Sequence, residues 1–393
     1  MVTRLSLTAM HTFVRRLAPL FAVLAVGCAH LRPQTTATPA VQQVTFDDVV
    51  ITGDLELEKL NDEELFAAGT SFYAAEDWAQ AARYFSRICD FHPNSKHRRL
   101  ALYNAGLSFE KLKAWDEAYA KFIELADPAK GTGDSLDAAF RVAEVLYHLE
   151  RFAEAIDVLR VIADRPDLSV DKRIEARTQQ GICELESNDM DTAEKSLRSV
   201  LTMYTEHPDK ELIDEYFPAQ AQFFVGEIYR LRYESVVLDA NKSTEKLADD
   251  LEYKSELLLS SQGHYLRAIR LGNGYWATAA GQRIGQLYEN MYDHMTNAPA
   301  PADLSQDEQD VYRAELRKKI RVLISKAITV YERTLEAAER IGAQSPFVEE
   351  TRASLQRMKQ LLLAEAKAEE EAPPPPPPPP PPAPKGKKAK PHS

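Results

Sequence analysis

The chain has 393 residues, 44% hydrophobic and 27% charged, which is enough apolar material for one long or two compact cores. Sixty acidic and 48 basic side chains leave a formal charge of −12, which argues against nucleic acid as a main partner because phosphate binding needs a basic surface. Glycine numbers only 15, and eleven of the 23 prolines crowd between Pro373 and Pro384, so the body of the chain is poor in helix breakers and reads as all-helical.

Residues Met1 to Arg16 carry Arg4, Arg15 and Arg16 and no acidic side chain, and Leu17 to Val26 is an uncharged apolar run. A basic stretch, a short apolar stretch and small residues before a processing point make an export signal. The run is too short to span a bilayer. It ends in Leu24-Ala25-Val26-Gly27-Cys28. This resembles the lipobox of bacterial lipoproteins, in which the cysteine is acylated, palmitate among the chains, and becomes the new N-terminus. Ala25 stands where that family most often has leucine. Removal of residues 1–27 takes away three arginines and leaves −15. The resemblance implies that Ala29, a residue other than aspartate after the lipidated cysteine, directs the protein to the outer membrane, facing the periplasm. Multiple acyl chains anchor firmly without a transmembrane helix.

Residues 28–56 read as a lipidated linker. Arg32 to Gln43, rich in Pro, Thr, Ala and Gln, is expected to be disordered. Val44 to Leu55 has β-type composition and is expected to form a short extended segment that docks on the protein's own helices or, alternatively, on another protein.

Internal repetition is the main signal of the body. Ala81, Ala118, Ala155 and Ala193 recur at steps of 37, 37 and 38 residues. Twelve positions before each stands Gly69, Gly106, Ala143 or Gly181, and four positions after each stands Phe85, Phe122, Leu159 or Leu197. A small residue lets two antiparallel helices approach, and the bulky one fills the gap to the next pair. This pattern resembles the tetratricopeptide repeat (TPR), most fully over residues 62–95, which end in Pro93-Asn94. It implies a right-handed α-solenoid over 57–210, with longer turns than usual between repeats. Cys89 and Cys183 fall three repeats apart, about 30 Å along such a stack and beyond disulfide reach. Both read as small buried hydrophobes.

Residues 211–371 read as a longer-helix C-terminal module of degenerate repeats. Gly226 with Tyr229, and Gly285 with Tyr288, repeat the helix A relation. Helices are expected over Ala219–Arg232, Leu247–Leu271 and Trp276–His294. Ser305 with Glu308 forms a capping box for a long helix that Gly342 stops. Its apolar stripe runs through Val311, Leu316, Ile320, Leu323, Ile324, Ala327, Ile328 and Tyr331. Pro346 opens a last helix buried through Leu355, Met358, Leu361 and Leu362.

The end, 372–393, is chemically distinct: Pro373 to Pro382 is a polyproline rod of roughly 31 Å, followed by Lys385, Lys387, Lys388 and Lys390. It is readable as a ligand for a proline-binding groove, as a spacer carrying a basic tip to anionic polymers such as peptidoglycan, or as a solubilising end. No phosphate-binding loop, nucleophile elbow, HExxH helix or zinc spacing is present in the sequence, and no cofactor is implied, so an enzyme is not expected.

In the TPR family the second, fifth, ninth, twelfth and thirteenth positions of helix A line a peptide-binding groove. Carried onto this chain, they point to Phe66, Thr70 and Tyr73, then Tyr103 and Leu107, then Phe140, Tyr147 and His148, with Thr178, Ile182 and Glu186 from the fourth repeat. Aromatic side chains give contact area at low entropic cost. Glu110, Glu144 and Glu186 add negative potential and favour a basic or amphipathic guest.

Lipobox, linker and repeats together resemble the TPR lipoproteins of the outer membrane: the BamD-like subunit of the β-barrel assembly machinery and the CpoB-type coordinators of envelope constriction. The segment Ala327 to Arg333 with the Arg340-Ile341-Gly342 stop is similar to TPR lipoproteins of myxobacterial gliding-motility (Glt/Agl) complexes. These resemblances imply a non-enzymatic scaffold for envelope or outer-membrane proteins. The competing expectation is an accessory of peptidoglycan enzymes that binds the wall through its basic tail.

Overall fold

The computed structural model describes residues 56–371 apart from 210–212, 240, 241, 243, 299 and 301–303. The expected export signal, Cys28, nearly all of the linker and the proline–lysine tail lie outside the described residues. All regular structure among the described residues is helical. A 3-10 turn, Leu57–Lys59, precedes α1 (Asp62–Ala74), α2 (Trp78–Phe91), α3 (Arg98–Leu112), α4 (Trp115–Ile123), α5 (Asp134–His148), α6 (Phe152–Ala163), α7 (Val170–Glu186) and α8 (Met190–Glu206). Then follow α9 (Tyr216–Ser235), α10 (Thr244–Arg270), α11 (Gly274–Thr296), α12 (Gln306–Ile341) and α13 (Pro346–Glu371). Contacts divide the chain into two compact units, unit one to Ser196 and unit two from Leu197.

Unit one is a stack of helix pairs. Each of α1 to α7 packs on its neighbours in sequence, so contacts are short-range along the chain. The alanines that set the repeat period, Ala81, Ala118, Ala155 and Ala193, are all fully buried. Phe85 and Phe122 are fully buried as well. A Cβ placed on Gly106 would stand 2.6 Å from the Phe122 ring, so only glycine admits this crossing of α3 and α4. Burying each such ring stabilises the pair by roughly 1.5–3 kcal/mol. Leu57, in the 3-10 turn, is 1% exposed and joins the same core. Cys89 and Cys183 are free and buried, as expected, and burial pushes the Cys89 thiol up to about 12.

The turns within repeats share one geometry. Glu76, Lys113, Glu150 and Asn188 have φ of 59°, 59°, 60° and 67°, at the repeat spacing. The amide after each reaches back five residues, Asp77 to Phe72 O, Ala114 to Phe109 O, Arg151 to Leu146 O and Asp189 to Glu184 O. This is a Schellman ending with a side-chain-bearing residue in the left-handed position that glycine usually takes. The connections between repeats, residues 92–97, 124–133 and 164–169, are longer, as the period demands.

Unit two repeats the logic on longer helices. Gly226 of α9 lies against Tyr265 of α10, and Gly285 of α11 against Tyr331 of α12. α13 packs on both α11 and α12. Ser305 and Glu308 form the expected capping box, and Gly342 ends α12 at φ 65°. The apolar stripe of α12 is buried at Ile320, Ile324, Ala327 and Tyr331, but Val311 is 61% exposed. The reason is length: α12 has 36 residues and α11 has 23, so about 20 Å of α12 outruns its partner.

Candidate functional site

The helix A face of unit one is carried by α1, α3, α5 and α7. Repeat spacing puts Phe66, Tyr103 and Phe140 at equivalent positions, and the structure treats them differently. Phe66 is half-buried, stacked on His97 at 4.5 Å and tilted against Phe85 at 5.6 Å. Tyr103 is half-buried and edge-on to Phe122 at 5.6 Å. Phe140 is only 8% exposed and belongs to the core, with Lys172 Nζ 5.0 Å above its ring. As an open anchor, Phe140 is therefore corrected to a packing residue. The cause is the next repeat, because α7 lies against α6 and delivers Lys172 over the ring.

Thr70 is exposed and its hydroxyl donates to Phe66 O at 2.8 Å. Tyr73 is edge-on to Trp78 at 4.9 Å, and Tyr147 to Phe152 at 5.6 Å. The Tyr147 hydroxyl donates to Glu186 Oε1 at 3.4 Å. His148 stacks flat on Trp115 at 4.0 Å. Leu107 is half-buried against the core. In the fourth repeat Thr178, Ile182 and Glu186 are all buried. The face is thus open mainly along repeats one to three.

Charge runs through this face. Arg141 Nη1 bridges Glu144 at 3.0 Å and Glu110 at 3.4 Å. Burial pushes the Glu110 carboxyl up to about 8, against the pull of Arg141. Glu175 is also raised by burial, with Lys172 at 3.0 Å opposing. At the outer end Glu63 takes Lys96 and His97, and these contacts hold its carboxyl low. The sequence reading had missed Arg141 and Glu175. Glu175 occupies the second helix A position, so the repeat register alone could have found it; Arg141 occupies the sixth and carried no such signal.

Unit two holds a different charged cluster. Glu227, 1% exposed, takes Arg230 at 2.9 Å, Arg283 at 3.2 Å and the Tyr265 hydroxyl. The two guanidiniums outweigh burial and hold its carboxyl down near 2. Lys254, also 1% exposed, donates to Tyr233 O and Val236 O at 2.8 Å each, closing the end of α9. These groups are mutually satisfied and serve packing. Among the described residues no group of His, Cys, Asp and Glu is placed to hold a metal ion, and no helix is long and apolar enough to cross a membrane.

Residues 65–95 match the tetratricopeptide repeat family. No curated protein sequence matches the chain. Among solved structures, a TPR repeats protein from Bacteroides fragilis is similar at 15% identity, covering 59% of this chain and 99% of that one, with a TM-score of 0.30. A tetratricopeptide repeat protein from Parabacteroides merdae is similar at 13% identity, covering 76% of this chain and 98% of that one, with a TM-score of 0.34. With its matched first repeat, the recurring small-and-bulky crossings and the shared turns, the chain is an all-helical protein of TPR-type helix pairs.

Proposed function

We propose that this protein is a lipid-anchored, non-enzymatic scaffold in the periplasm that holds segments of envelope or outer-membrane proteins on the helix A face of unit one. The observation that carries the reading is the row of half-exposed rings, Phe66, Tyr73, Tyr103 and Tyr147, on consecutive helix A elements beside unevenly paired carboxylates. Half-exposed aromatic rings supply contact area for extended segments at low entropic cost. The Leu24-to-Cys28 motif supports anchoring by lipid, and Ala29 supports the outer membrane. Barrel assembly and gliding motility are the processes whose TPR lipoproteins this chain resembles.

The test is paired. Phe66→Ala with Tyr103→Ala is expected to abolish recovery of crosslinked envelope partners, each ring contributing about 2 kcal/mol or more to binding. The thermal melt should shift by only a few degrees. Unchanged recovery at an unchanged melt would remove the face as the site. A wall-binding reading rests on Lys385, Lys387, Lys388 and Lys390. It requires that the protein pellet with isolated peptidoglycan and that replacing these lysines by glutamine stop it.

A further inference from the structure

Repeats one and three place a tyrosine at the twelfth position of helix A, Tyr73 and Tyr147. Each ring packs on the first ring of its own helix B, Trp78 or Phe152. Repeat two keeps the helix B ring, Trp115, but has Glu110 at the tyrosine position. A carboxyl therefore occupies a slot that the neighbouring repeats fill with an aromatic ring. Its side chain is 13% exposed. Its Oε1 is buried and makes no hydrogen bond. Its Oε2 has Arg141 at 3.4 Å, and that arginine sits closer to Glu144, at 3.0 Å. An unsatisfied buried carboxyl oxygen costs free energy, and nothing inside unit one repays it. Such a local conflict is expected where a site has a use beyond folding.

The surroundings indicate what would repay it. Arg141 and Glu144 face Glu110 from α5, and Lys111 faces it from its own helix. Tyr73 from α1 and Tyr103 from α3 share the same local field. Farther along, Asp137, Glu175 and Lys172 continue the charged row. With Glu110 protonated, Asp137, Glu144 and Glu175 are matched by Lys111, Arg141 and Lys172; once Glu110 ionises, the row lacks one positive charge. The rings of Tyr73 and Tyr103 offer π-faces that attract a cation.

We propose that Glu110 is the seat for a lysine or arginine side chain carried by the protein segment that binds the helix A face. This rests on the groove reading above and adds the chemistry of the guest. It also has a proton signature. In the free protein the carboxyl, pushed up to about 8, is largely protonated at neutral pH. A docking cation favours the ionised form, so binding releases a proton. Affinity then tightens by up to about tenfold per pH unit below 8 and levels off above it.

The experiment uses the purified full chain and a fluorescein-labelled Gly-Lys-Pro-Lys-Pro-Lys-Gly peptide, with glutamate and norleucine counterparts. The lysine peptide is expected to bind at least about tenfold more tightly than either counterpart, a difference of about 1.4 kcal/mol. Its Kd should fall with rising pH up to 8. Glu110→Gln should lose that preference and the pH slope together. Glu110→Tyr installs the residue of the neighbouring repeats, so it should fold and also lose both. Equal binding of the three peptides, a Kd independent of pH, or full affinity in both variants would overturn the proposal. If those variants keep their envelope partners while Phe66→Ala with Tyr103→Ala loses them, the cation seat is wrong and the groove stands. If the ring variant keeps its partners as well, the groove reading itself has failed.

Discussion

Two glutamates in this protein show how the surroundings of a carboxyl decide its charge. Glu227 is the more deeply buried, yet Arg230 and Arg283 hold it ionised; Glu110 is shallower but under-paired, and burial wins. Their pH signatures are opposite in sign. The stability that Glu227 contributes is present above about pH 4.5 and is lost as pH falls toward 2. Replacing it with glutamine strands two guanidiniums and is expected to cost about 3–5 kcal/mol, read as a lower urea midpoint at neutral pH. For Glu110 the folded carboxyl lies above its unfolded value. Its favourable contribution is therefore complete below about pH 4.5 and is lost as pH rises through 8. Glu110→Gln should melt above the wild type at about pH 8.5, with the gap closing near pH 4. A gap independent of pH would mean that the carboxyl is not desolvated in solution.

At the scale of elements, the pairs are set by what can approach what. Gly106 admits the Phe122 ring, and Ala118 is buried completely at the same crossing. Ala118→Trp should overpack it, costing about 1–3 kcal/mol or more and loosening the neighbouring pairs that share the core. An unchanged melt would mean that Ala118 does not stand at the crossing. The shared turn makes the reverse prediction. Lys113 holds a left-handed backbone at φ 59°, which a side chain disfavours by roughly 1–2 kcal/mol. Glycine removes that strain but adds unfolded-state entropy, so Lys113→Gly is expected to stabilise by up to about 1 kcal/mol. A raised urea midpoint at constant slope checks it. Asn188→Gly should gain less, since asparagine already tolerates this conformation.

For the whole molecule, the decisive expectation concerns the anchor. Cys28→Ser should release the protein from washed membranes and leave its melt unchanged, because position 28 precedes the helices and lipid is the proposed attachment. Retention of the variant in the membrane fraction would show that a membrane partner holds it. Neither remaining cysteine should react in the folded state, since both thiols are buried and pushed up by desolvation.

The sequence by itself determined the repeat period, the small-and-bulky pairing in unit one, the capping box at Ser305 and the ends of the last two helices; in unit two it marked Gly226 and Gly285 but not the Tyr265 and Tyr331 rings they meet. Those signals are local, and stacking puts most contacts between helices adjacent in the chain, so periodicity was enough to read them. It also singled out Phe66, Tyr73 and Tyr103 on one face, because equivalent positions of repeats face alike. Only the tertiary structure decided how open each one is. Phe140 shares the register of Phe66 but is sealed by core packing and by Lys172 from the following repeat, a matter of neighbours and not of position. The left-handed turns were invisible because Glu, Lys and Glu carry no glycine signal. The Glu227–Arg283 pair joins residues 56 positions apart, beyond any helical period. The desolvation of Glu110, with Arg141 and Glu144 of the following repeat beside it, is a property of packed surroundings that no single segment contains.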